Sequence, residues 1–454
     1  MSKPVMISVS GIRGIVGEGL TPQLIVRFSA GVGSTYGRGK VMVGRDSRES
    51  GEMVKAAVFS GLMSVGCHPV DLGVCPTPTV QMAVQQSDAL GGIVITASHN
   101  PVEWNALKLL GPDGLFLNQE EGNRVKQIVE EETFPFVVWN QIGRVSTYAH
   151  AIDDHIGAIL ELPYLDVPKI RQRRFQVAFD CVNGAGGTIL PKLLNTLGCV
   201  TYPFNEEPTG RFAHTPEPVS ANLKDLCRCV VGSKADIGFA VDPDVDRLAI
   251  VAENGEPLGE EYTVTLCTKF ILQKKKGKVV VNMSTTRAVE DVTVQAGGEL
   301  IRTPVGEIHV AEKMREAHAV IGGEGNGGVI LPEMHLGRDA PVAIALTLQY
   351  LLEYGKPVSM IWKSLPRYVM TKKKIDIGTS DPDQIIRSME TKYRSEKTNL
   401  ADGLKIDRAD SWIHVRKSNT EPIIRVITEA RTKEDSEKLC EVFIQEIKQF
   451  TGKA

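Results

Sequence analysis

The sequence has little that would indicate a secreted, disulfide-rich or membrane-spanning protein. Its eight cysteines are scattered, with no Cys-x-x-Cys pair, and only 6% of its residues are aromatic. Clustered cysteines are needed for a zinc site or a disulfide framework, so we expect neither. No uninterrupted apolar run approaches the roughly 18 residues of a transmembrane helix. The stretch Met1 to Pro4 becomes polar too early for a signal peptide. These features predict a cytoplasmic protein.

Strong charge of one sign is also missing. The formal net charge of the 454 residues is -3, and nucleic acid or an anionic membrane would select a basic surface. We therefore expect no nucleic-acid and no membrane partner. We expect a monomer or a homodimer, a choice on which the charge has no bearing. At about 150 residues per domain, the length predicts about three domains.

The chain instead contains a repeated α/β pattern. Three segments each begin with an apolar strand, a polar turn and a helix, and each later holds a second apolar strand that ends in an unusual polar loop. Ligands bind at such strand ends in open α/β sheets. A fourth segment is α+β, and a hinge is expected near 365–370. We predict domains at 1–150, 151–255, 256–367 and 368–454.

The first of these loops follows the strand Gly92 to Ile95 and contains Ser98. His99 beside it can donate or accept a proton, and Lys108 follows soon after. A serine at a strand end is most often a turn former, so this loop alone does not indicate chemistry. Arg13 is flanked by glycines near the start of the chain. It has two possible interpretations, a solvated residue in a turn or a residue that binds an anion.

The second loop places three carboxylates two residues apart, on Asp242, Asp244 and Asp246. Hard divalent cations prefer carboxylate oxygens, and three crowded anions repel one another without a cation. An EF-hand is the rival interpretation, but its sixth position would need glycine and here is Arg247, and both flanks look like strands. The pattern predicts a magnesium ion shared with a phosphate.

Two further loops have complementary chemistry. Glu324 stands among glycines, where its carboxylate can accept hydrogen bonds from two neighbouring sugar hydroxyls. The later loop offers guanidinium, hydroxyl and amide donors suited to a phosphate, on Arg416, Ser418, Asn419 and Thr420.

Together, the loops at 96–101, 242–247, 323–328 and 416–422 resemble those of the α-D-phosphohexomutase family, in the family's order and over essentially the whole chain. The resemblance implies four domains around a central cleft. Three are related α/β domains with mixed sheets flanked by helices, and the C-terminal domain is α+β.

The resemblance also implies a mechanism and roles for residues. Ser98 would carry a phosphoryl group, donate it to a hexose phosphate to make a sugar bisphosphate, and take back the other phosphate. One Mg²⁺ would bind Ser98 and the three aspartates. The other implied roles are charge stabilisation by Arg13 and Arg247, proton transfer by Lys108 in preference to His99, substrate contacts from Glu324 and Asn326, and phosphate anchoring by Arg416, Ser418, Asn419 and Thr420.

The sugar is not decided by these motifs. Gly325, Asn326 and Gly328 resemble a set of glucosamine mutases, which favours conversion of glucosamine 6-phosphate into glucosamine 1-phosphate. The stretches 416–419 and 210–216 are closer to enzymes of the glucose and mannose branch, which is the alternative. A metal-dependent sugar phosphatase and an inactive sugar-phosphate sensor are two further classes. This chain keeps Ser98, the three aspartates and Glu324, in the loops 96–101, 242–247 and 323–328, which we call the serine loop, the aspartate loop and the sugar loop.

Overall fold

The computed structural model describes residues 5–8, 11–378, 380–417 and 423–451, and the strands in this part of the chain form four separate sheets. We call the four regions that carry them the first to fourth domains, in chain order. The first three sheets are mixed and flanked by helices, and the fourth is antiparallel with helices, as the sequence predicted. Among the described residues, no helix combines the length and apolarity that crossing a membrane requires.

The first domain contains a seven-stranded sheet of order β1-β2-β6-β5-β3-β4-β7. Thr21 caps its first helix, and Asn118 with Glu121 forms a capping box at a later one. Its elements are β1 Met6–Ser8, β2 Gly11–Ile15, α1 Pro22–Tyr36, β3 Lys40–Arg45, α2 Gly51–Ser64, β4 His68–Val74, α3 Thr77–Gln85, β5 Gly91–Ile95, β6 Trp104–Leu110, α4 Gln119–Glu131 and β7 Ser146–Thr147.

The second domain has a four-stranded sheet of order β11-β10-β8-β9, in which only the β10–β11 pair is antiparallel. Every residue of β10 and β11 is buried, so both read as continuous apolar runs. Its elements are α5 Ala151–Leu160, α6 Val167–Arg173, β8 Gln176–Asp180, α7 Gly186–Thr196, β9 Val200–Phe204, α8 Lys224–Ser233, β10 Ile237–Val241 and β11 Leu248–Ala252.

The third domain repeats this arrangement, with sheet order β13-β12-β14-β15 and an antiparallel β14–β15 pair at the edge. Its elements are α9 Glu261–Lys274, β12 Lys278–Asn282, α10 Arg287–Gln295, β13 Glu299–Thr303, α11 Glu307–Ala317, β14 Ile321–Glu324, β15 Gly328–Ile330, α12 Ala340–Tyr354 and α13 Val358–Lys363.

The fourth domain is a five-stranded antiparallel sheet of order β16-β20-β19-β18-β17. Phe443 and Ile447, four residues apart on its last helix, are buried in the domain's own core. Its elements are β16 Val369–Asp376, α14 Pro382–Tyr393, β17 Lys397–Asn399, β18 Leu404–Asp407, β19 Trp412–Lys417, β20 Ile423–Ala430 and α15 Lys433–Thr451.

The antiparallel pairs explain the repeated pattern seen in the sequence. In each of the first three domains, one polar loop joins two antiparallel neighbours: β5 to β6, β10 to β11, and β14 to β15. These are the loops that contain Ser98, the three aspartates, and the residues after Glu324. The same strand–loop–strand unit therefore occurs in three domains, with a serine, three aspartates or a glutamate as its polar residues.

The cores show how the domains are joined. The second and third domains share one continuous apolar cluster, whereas the fourth domain has a separate core. Helix α12 is buried from Ala340 to Leu351, as expected for a helix enclosed on all sides. Its N-cap, Asp339, also accepts hydrogen bonds from His155 and His335. The second and third domains thus form one packed unit.

Candidate active site

Ser98 lies immediately beyond the buried strand β5 and is itself almost fully buried. Its φ of 49° is in the left-handed region, which few non-glycine residues adopt and which often marks a functional position. The Ser98 hydroxyl donates to Oδ2 of Asp242 at 2.8 Å, and its oxygen is 3.5 Å from Nδ1 of His99. The structure therefore brings the serine of the first domain against the aspartate loop of the second.

The backbone of the serine loop is held by a buried arginine that the sequence analysis did not single out. The Arg48 guanidinium donates to the carbonyls of Ser98, Asn100, Pro101 and Trp104, at 2.6 to 3.0 Å. Its Nε pairs with the buried carboxylate of Asp46 at 3.0 Å. These bonds fix the loop from inside the first domain.

The three aspartates lie close together at the end of β10. Asp242, Asp244 and Asp246 each offer an oxygen, all within 4.8 Å of one another, and all three residues are fully buried. Both flanks of their loop are strands, which removes the EF-hand alternative. Val245 has a φ of 63° within this turn, a conformation that costs energy for a β-branched residue. The loop thus holds its carboxylates together in spite of backbone strain and charge repulsion.

The donor set fits a divalent cation. Burial, with Asp246 and Asp244 close by, raises the pKa of Asp242 well above its ordinary value. Oδ1 of Asp244 and Oδ1 of Asp246 are buried but accept no hydrogen bond from the described residues. Buried acceptors left without donors are costly, and a hard cation with oxygen ligands would satisfy them.

Lys108 and Thr77 reach the triad from the first domain. Nζ of Lys108 is 2.6 Å from Oδ2 of Asp244 and 3.3 Å from Oδ2 of Asp246, and Thr77 donates to the same Asp244 oxygen at 2.6 Å. Burial opposes ionisation of Asp244, but Lys108 and these hydrogen bonds hold its pKa below the usual range. For Lys108, burial is outweighed by Asp244 and Asp246, which raise its pKa.

The remaining cationic residues predicted for the reaction lie around this centre. Arg13 donates from Nη1 to Oδ1 of Asn100 in the serine loop at 2.8 Å. Nε of Arg247 is 3.6 Å from Oδ1 of Asp246. Burial, followed by the charges of Arg247 and Arg13, lowers the pKa of His99 to about 2. His99 is therefore a neutral imidazole in this environment.

One further arginine, Arg338, joins the aspartate loop to the sugar loop. Its Nη2 donates to Asp246 at 2.7 Å, its Nη1 to Glu324 at 2.8 Å, and its Nε to Glu307 at 2.8 Å. All four side chains are buried. The sequence offered no signal for this role, because Arg338 directly precedes the N-cap of α12 and carries no motif of its own.

Glu324 is less open than the sequence suggested. Its Oε1 accepts from Asn282 at 2.7 Å and from the backbone N–H of Gly306 at 3.2 Å, and its Oε2 accepts from Arg338 and, at 3.4 Å, from Asn326. Burial raises the pKa of Glu324, but Arg338 and these donors bring it below its ordinary value. The carboxylate is thus held ionised, and a sugar hydroxyl would share its oxygens with these donors.

A cavity of about 190 Å³ opens beside Glu324, between the third and fourth domains. Arg416 lines it, with Nε 3.0 Å from Oδ2 of Asp402, and that same oxygen accepts from the backbone N–H of Val305. Lys372 and Arg425 add two cations that the sequence analysis did not identify. Ser418, Asn419 and Thr420 lie outside the described residues.

Family models match all four domains: phosphoglucomutase/phosphomannomutase α/β/α domain I over residues 6–136, domain II over 153–255, domain III over 259–368, and the C-terminal domain over 378–446. The chain belongs to the phosphoglucomutase/phosphomannomutase family. This is the α-D-phosphohexomutase family that the loops resembled, so the protein is a phosphohexomutase, an intramolecular phosphotransferase. The family generally depends on Mg²⁺.

Individual relatives agree with this assignment over nearly the whole chain. A probable phosphoglucosamine mutase of Methanopyrus kandleri is 36% identical, and a phosphoglucomutase/phosphomannomutase of Thermococcus kodakarensis is 38% identical; each alignment covers 96% of both chains. The crystal structure of a phosphoglucomutase/phosphomannomutase family protein from Burkholderia thailandensis superposes with a TM-score of 0.86, at 25% identity and 98% coverage of both chains.

Proposed function

We propose that this phosphohexomutase converts glucosamine 6-phosphate into glucosamine 1-phosphate through a phosphoserine at Ser98 and a sugar bisphosphate. The contact between the Ser98 hydroxyl and Asp242, at 2.8 Å, carries the proposal. It places a nucleophilic oxygen at the edge of a buried carboxylate triad, where a phosphoryl group and a divalent cation would share one site.

In the first half of the proposed reaction, the bond between phosphorus and the Ser98 oxygen breaks while a bond forms between phosphorus and a sugar hydroxyl oxygen. The hydroxyl proton leaves to a base on the protein, and the Ser98 oxygen receives a proton. Lys108 is our candidate for both proton transfers: its ammonium would give a proton to the Ser98 oxygen, and the amine that remains would take the proton of the sugar hydroxyl. His99, whose ring lies 3.5 Å from the Ser98 oxygen, is the alternative. Arg13 and Arg247 would stabilise the charge on the phosphoryl oxygens.

Asp242, Asp244, Asp246 and the oxygen on Ser98 would hold one Mg²⁺ per chain. When bound, the ion would neutralise the phosphoryl oxygens and so lower the barrier to transfer. Oδ1 of Asp244 and Oδ1 of Asp246, which accept no hydrogen bond within the described part of the chain, support this assignment. The chain's own part is to keep the three carboxylates close together against their repulsion.

In the second half, the bisphosphate turns over and returns its other phosphate to Ser98. We propose that Arg416, Ser418, Asn419 and Thr420 hold whichever phosphate is not reacting, and that Glu324 and Asn326 contact the sugar in both orientations. The position of Arg416 and Glu324 on one cavity supports this division of roles. Asp402, paired with Arg416 and bonded to Val305, would keep the anchor against the third domain.

Glucosamine phosphate is our first choice of substrate. Several relatives that align over most of the chain are probable phosphoglucosamine mutases, including those of Methanopyrus kandleri and Pyrococcus abyssi. Glucose or mannose phosphate is the second candidate, favoured by the Thermococcus kodakarensis phosphoglucomutase/phosphomannomutase. That the protein acts in the cytoplasm, as a monomer or homodimer, without nucleic-acid or membrane partners, stays a prediction.

The test compares turnover of the 6-phosphates of glucosamine, glucose and mannose with Mg²⁺ and a trace of sugar bisphosphate, followed by phosphorus NMR. We expect the 1-phosphate to form fastest from glucosamine 6-phosphate. Faster turnover of glucose or mannose phosphate would instead favour the second candidate. Release of inorganic phosphate without isomerisation would indicate a phosphatase, and binding without either reaction would indicate a sensor.

A further inference from the structure

Glu261, the first residue of α9, contributes a second carboxylate to the cavity that Glu324 lines. It is 8% exposed, and its Oε2 accepts a hydrogen bond from the backbone N–H of Thr286 at 3.0 Å. Its Oε1 lies 3.1 Å from Nζ of Lys372. No role in the reaction follows for Glu261 from the sequence motifs, although its carboxylate reaches the proposed sugar site.

The carboxylate occupies space that a side chain of the sugar loop would otherwise fill. A Cβ atom built on Gly325 would lie 1.8 Å from Oε2 of Glu261. Gly325 is the first of the three loop residues, with Asn326 and Gly328, that resemble a set of glucosamine mutases. The backbone of Gly325 is not left-handed, so its conformation does not demand glycine. In this chain, the space beside Gly325 is filled by a carboxylate that comes from α9.

The charges around the cavity fit a ligand with one phosphate and one ammonium group. Lys372, Arg416 and Arg425 line it as cations that suit a phosphate. Arg338 already pairs with Glu324, whereas Glu261 shares the single ammonium of Lys372 with Glu260. The carboxylate of Glu261 therefore lacks a cation of its own, which an amine protonated at neutral pH would supply and a sugar hydroxyl would not.

We propose that Glu261 is a specificity-determining residue that accepts a hydrogen bond from the protonated amine of an aminohexose phosphate. The inference rests on the proposed mutase function and adds a residue that selects the amino sugar over its neutral analogue. A charge-assisted hydrogen bond is worth more than the neutral bond that a hydroxyl can make. Burial raises the pKa of Glu261 to about 7, and a bound ammonium would stabilise its ionised form.

A purely structural role is the competing explanation, because Glu261 also bonds to Thr286 at the start of α10 and pairs with Lys372. The neighbouring Glu260 separates the two explanations. It pairs with the same lysine nitrogen at 3.3 Å, but it does not line the cavity. Glu260→Gln therefore removes a charge from the same ion pair and leaves the sugar site intact.

The first experiment measures the ratio of kcat/KM for glucosamine 6-phosphate to that for glucose 6-phosphate in the wild type, Glu261→Gln and Glu260→Gln. Glutamine keeps the shape and an acceptor for Thr286. Losing a charge-assisted bond should lower the ratio by about tenfold or more in Glu261→Gln and leave it unchanged in Glu260→Gln. An unchanged ratio in Glu261→Gln, or an equal fall in both variants, would overturn the proposal.

The second experiment moves the carboxylate. In the double variant Glu261→Ala with Gly325→Glu, the alanine frees the space and the sugar loop supplies the charge. We expect the ratio to recover toward the wild-type value from the low value of Glu261→Ala alone. A double variant that folds and keeps the low ratio would show that the charge in the cavity is not what selects the amine, and would overturn the proposal.

Calorimetric binding of both sugar phosphates separates this inference from the proposed function. A failure of the function appears as a wild type without isomerisation of any hexose phosphate. A failure of the inference appears as a binding ratio that Glu261→Gln does not change, whether or not the protein turns over.

Discussion

Arg338 donates a hydrogen bond of 2.7 Å to Asp246 while a second nitrogen of the same guanidinium donates to Glu324. One buried side chain therefore contacts both the loop proposed to bind the metal and the loop proposed to bind the sugar. Because the guanidinium is planar and rigid, a shift of one carboxylate is transmitted to the other. We therefore expect changes at the proposed sugar site to affect the proposed metal site, and the reverse.

Replacing Arg338 by lysine should disturb both loops at once. An ammonium on a flexible stem cannot satisfy three carboxylates in fixed directions, so buried charges lose partners at a cost of about 3 to 5 kcal/mol. We expect a lower melting temperature, weaker Mg²⁺ binding and a higher KM for the sugar phosphate. The matched control is Arg315→Lys, an exposed arginine paired with Asp113. Normal Mg²⁺ affinity together with normal KM in Arg338→Lys would contradict the linkage.

Substituting Ser98 by alanine tests the covalent step. The isolated wild type should contain a population heavier by one phosphate, and Ser98→Ala should lose both that mass and nearly all turnover, because no other hydroxyl in the described site takes its position beside Asp242. Intact-protein mass spectrometry and the isomerisation assay measure the two effects. Ser60→Ala, on the exposed face of α2, serves as the control. Full mutase activity in Ser98→Ala would rule out the phosphoserine.

Metal removal should abolish turnover and Mg²⁺ should restore it. Asp244→Asn removes one charge from the triad, and losing such electrostatic stabilisation costs about 10²- to 10³-fold in kcat. Direct titration with Mg²⁺ should show weaker binding in Asp244→Asn than in the wild type and in the exposed control Asp225→Asn. Undiminished activity in excess chelator would refute the assignment of the site.

Lys405 should make the stability of the fourth domain depend on pH. Burial, together with the charge of Arg302, lowers its pKa to about 7, whereas in the unfolded chain the value is about 10.4. Between these values the unfolded state binds more protons, so the free energy of unfolding should increase as the pH rises from 7 to 10. The increase in the free energy of unfolding is complete above about pH 10. Below pH 7, Lys405 is protonated in both states and no longer makes the free energy depend on pH.

Lys405→Met should remove this dependence and stabilise the protein at pH 6, where the wild type buries an ammonium over the Trp412 ring. Urea unfolding at several pH values, followed by tryptophan fluorescence, measures it. The exposed lysine variant Lys40→Met should behave like the wild type. Parallel curves for the wild type and Lys405→Met across this range would show that Lys405 does not titrate as expected.

Local sequence patterns were enough to predict the α/β and α+β segments and the strand ends that carry the first three polar loops, and the family resemblance added the four-domain arrangement. The strand before Ser98 and the strands around the aspartates are short apolar runs with polar ends, and both were recognisable because each signal lies within about ten residues. The four loop motifs, in order, identified the family. The domain boundaries at 150, 255 and 367, and the roles of the individual site residues, stay predictions.

Arg48, Arg338 and Glu261 were not identified, and the reason is the same for all three. Each contacts groups that are distant in the chain. Arg48 donates to carbonyls about 50 residues away, Arg338 donates to Asp246, and the carboxylate of Glu261 fills the space beside Gly325. Packing between elements and domains determines these distances, and no spacing pattern within one segment encodes them. In the sequence, Glu261 in particular looks like an ordinary acidic residue in the first turn of a helix.

The four carbonyl bonds from Arg48 bear on any movement at the hinge expected near 365–370. All of them lie within the first domain, so we expect the serine loop to keep its shape and to stay fixed to that domain if the fourth domain rotates. Under the proposed mechanism, the acceptor oxygen on Ser98 would then have the same position in both transfers, and only the distance to Arg416 would change.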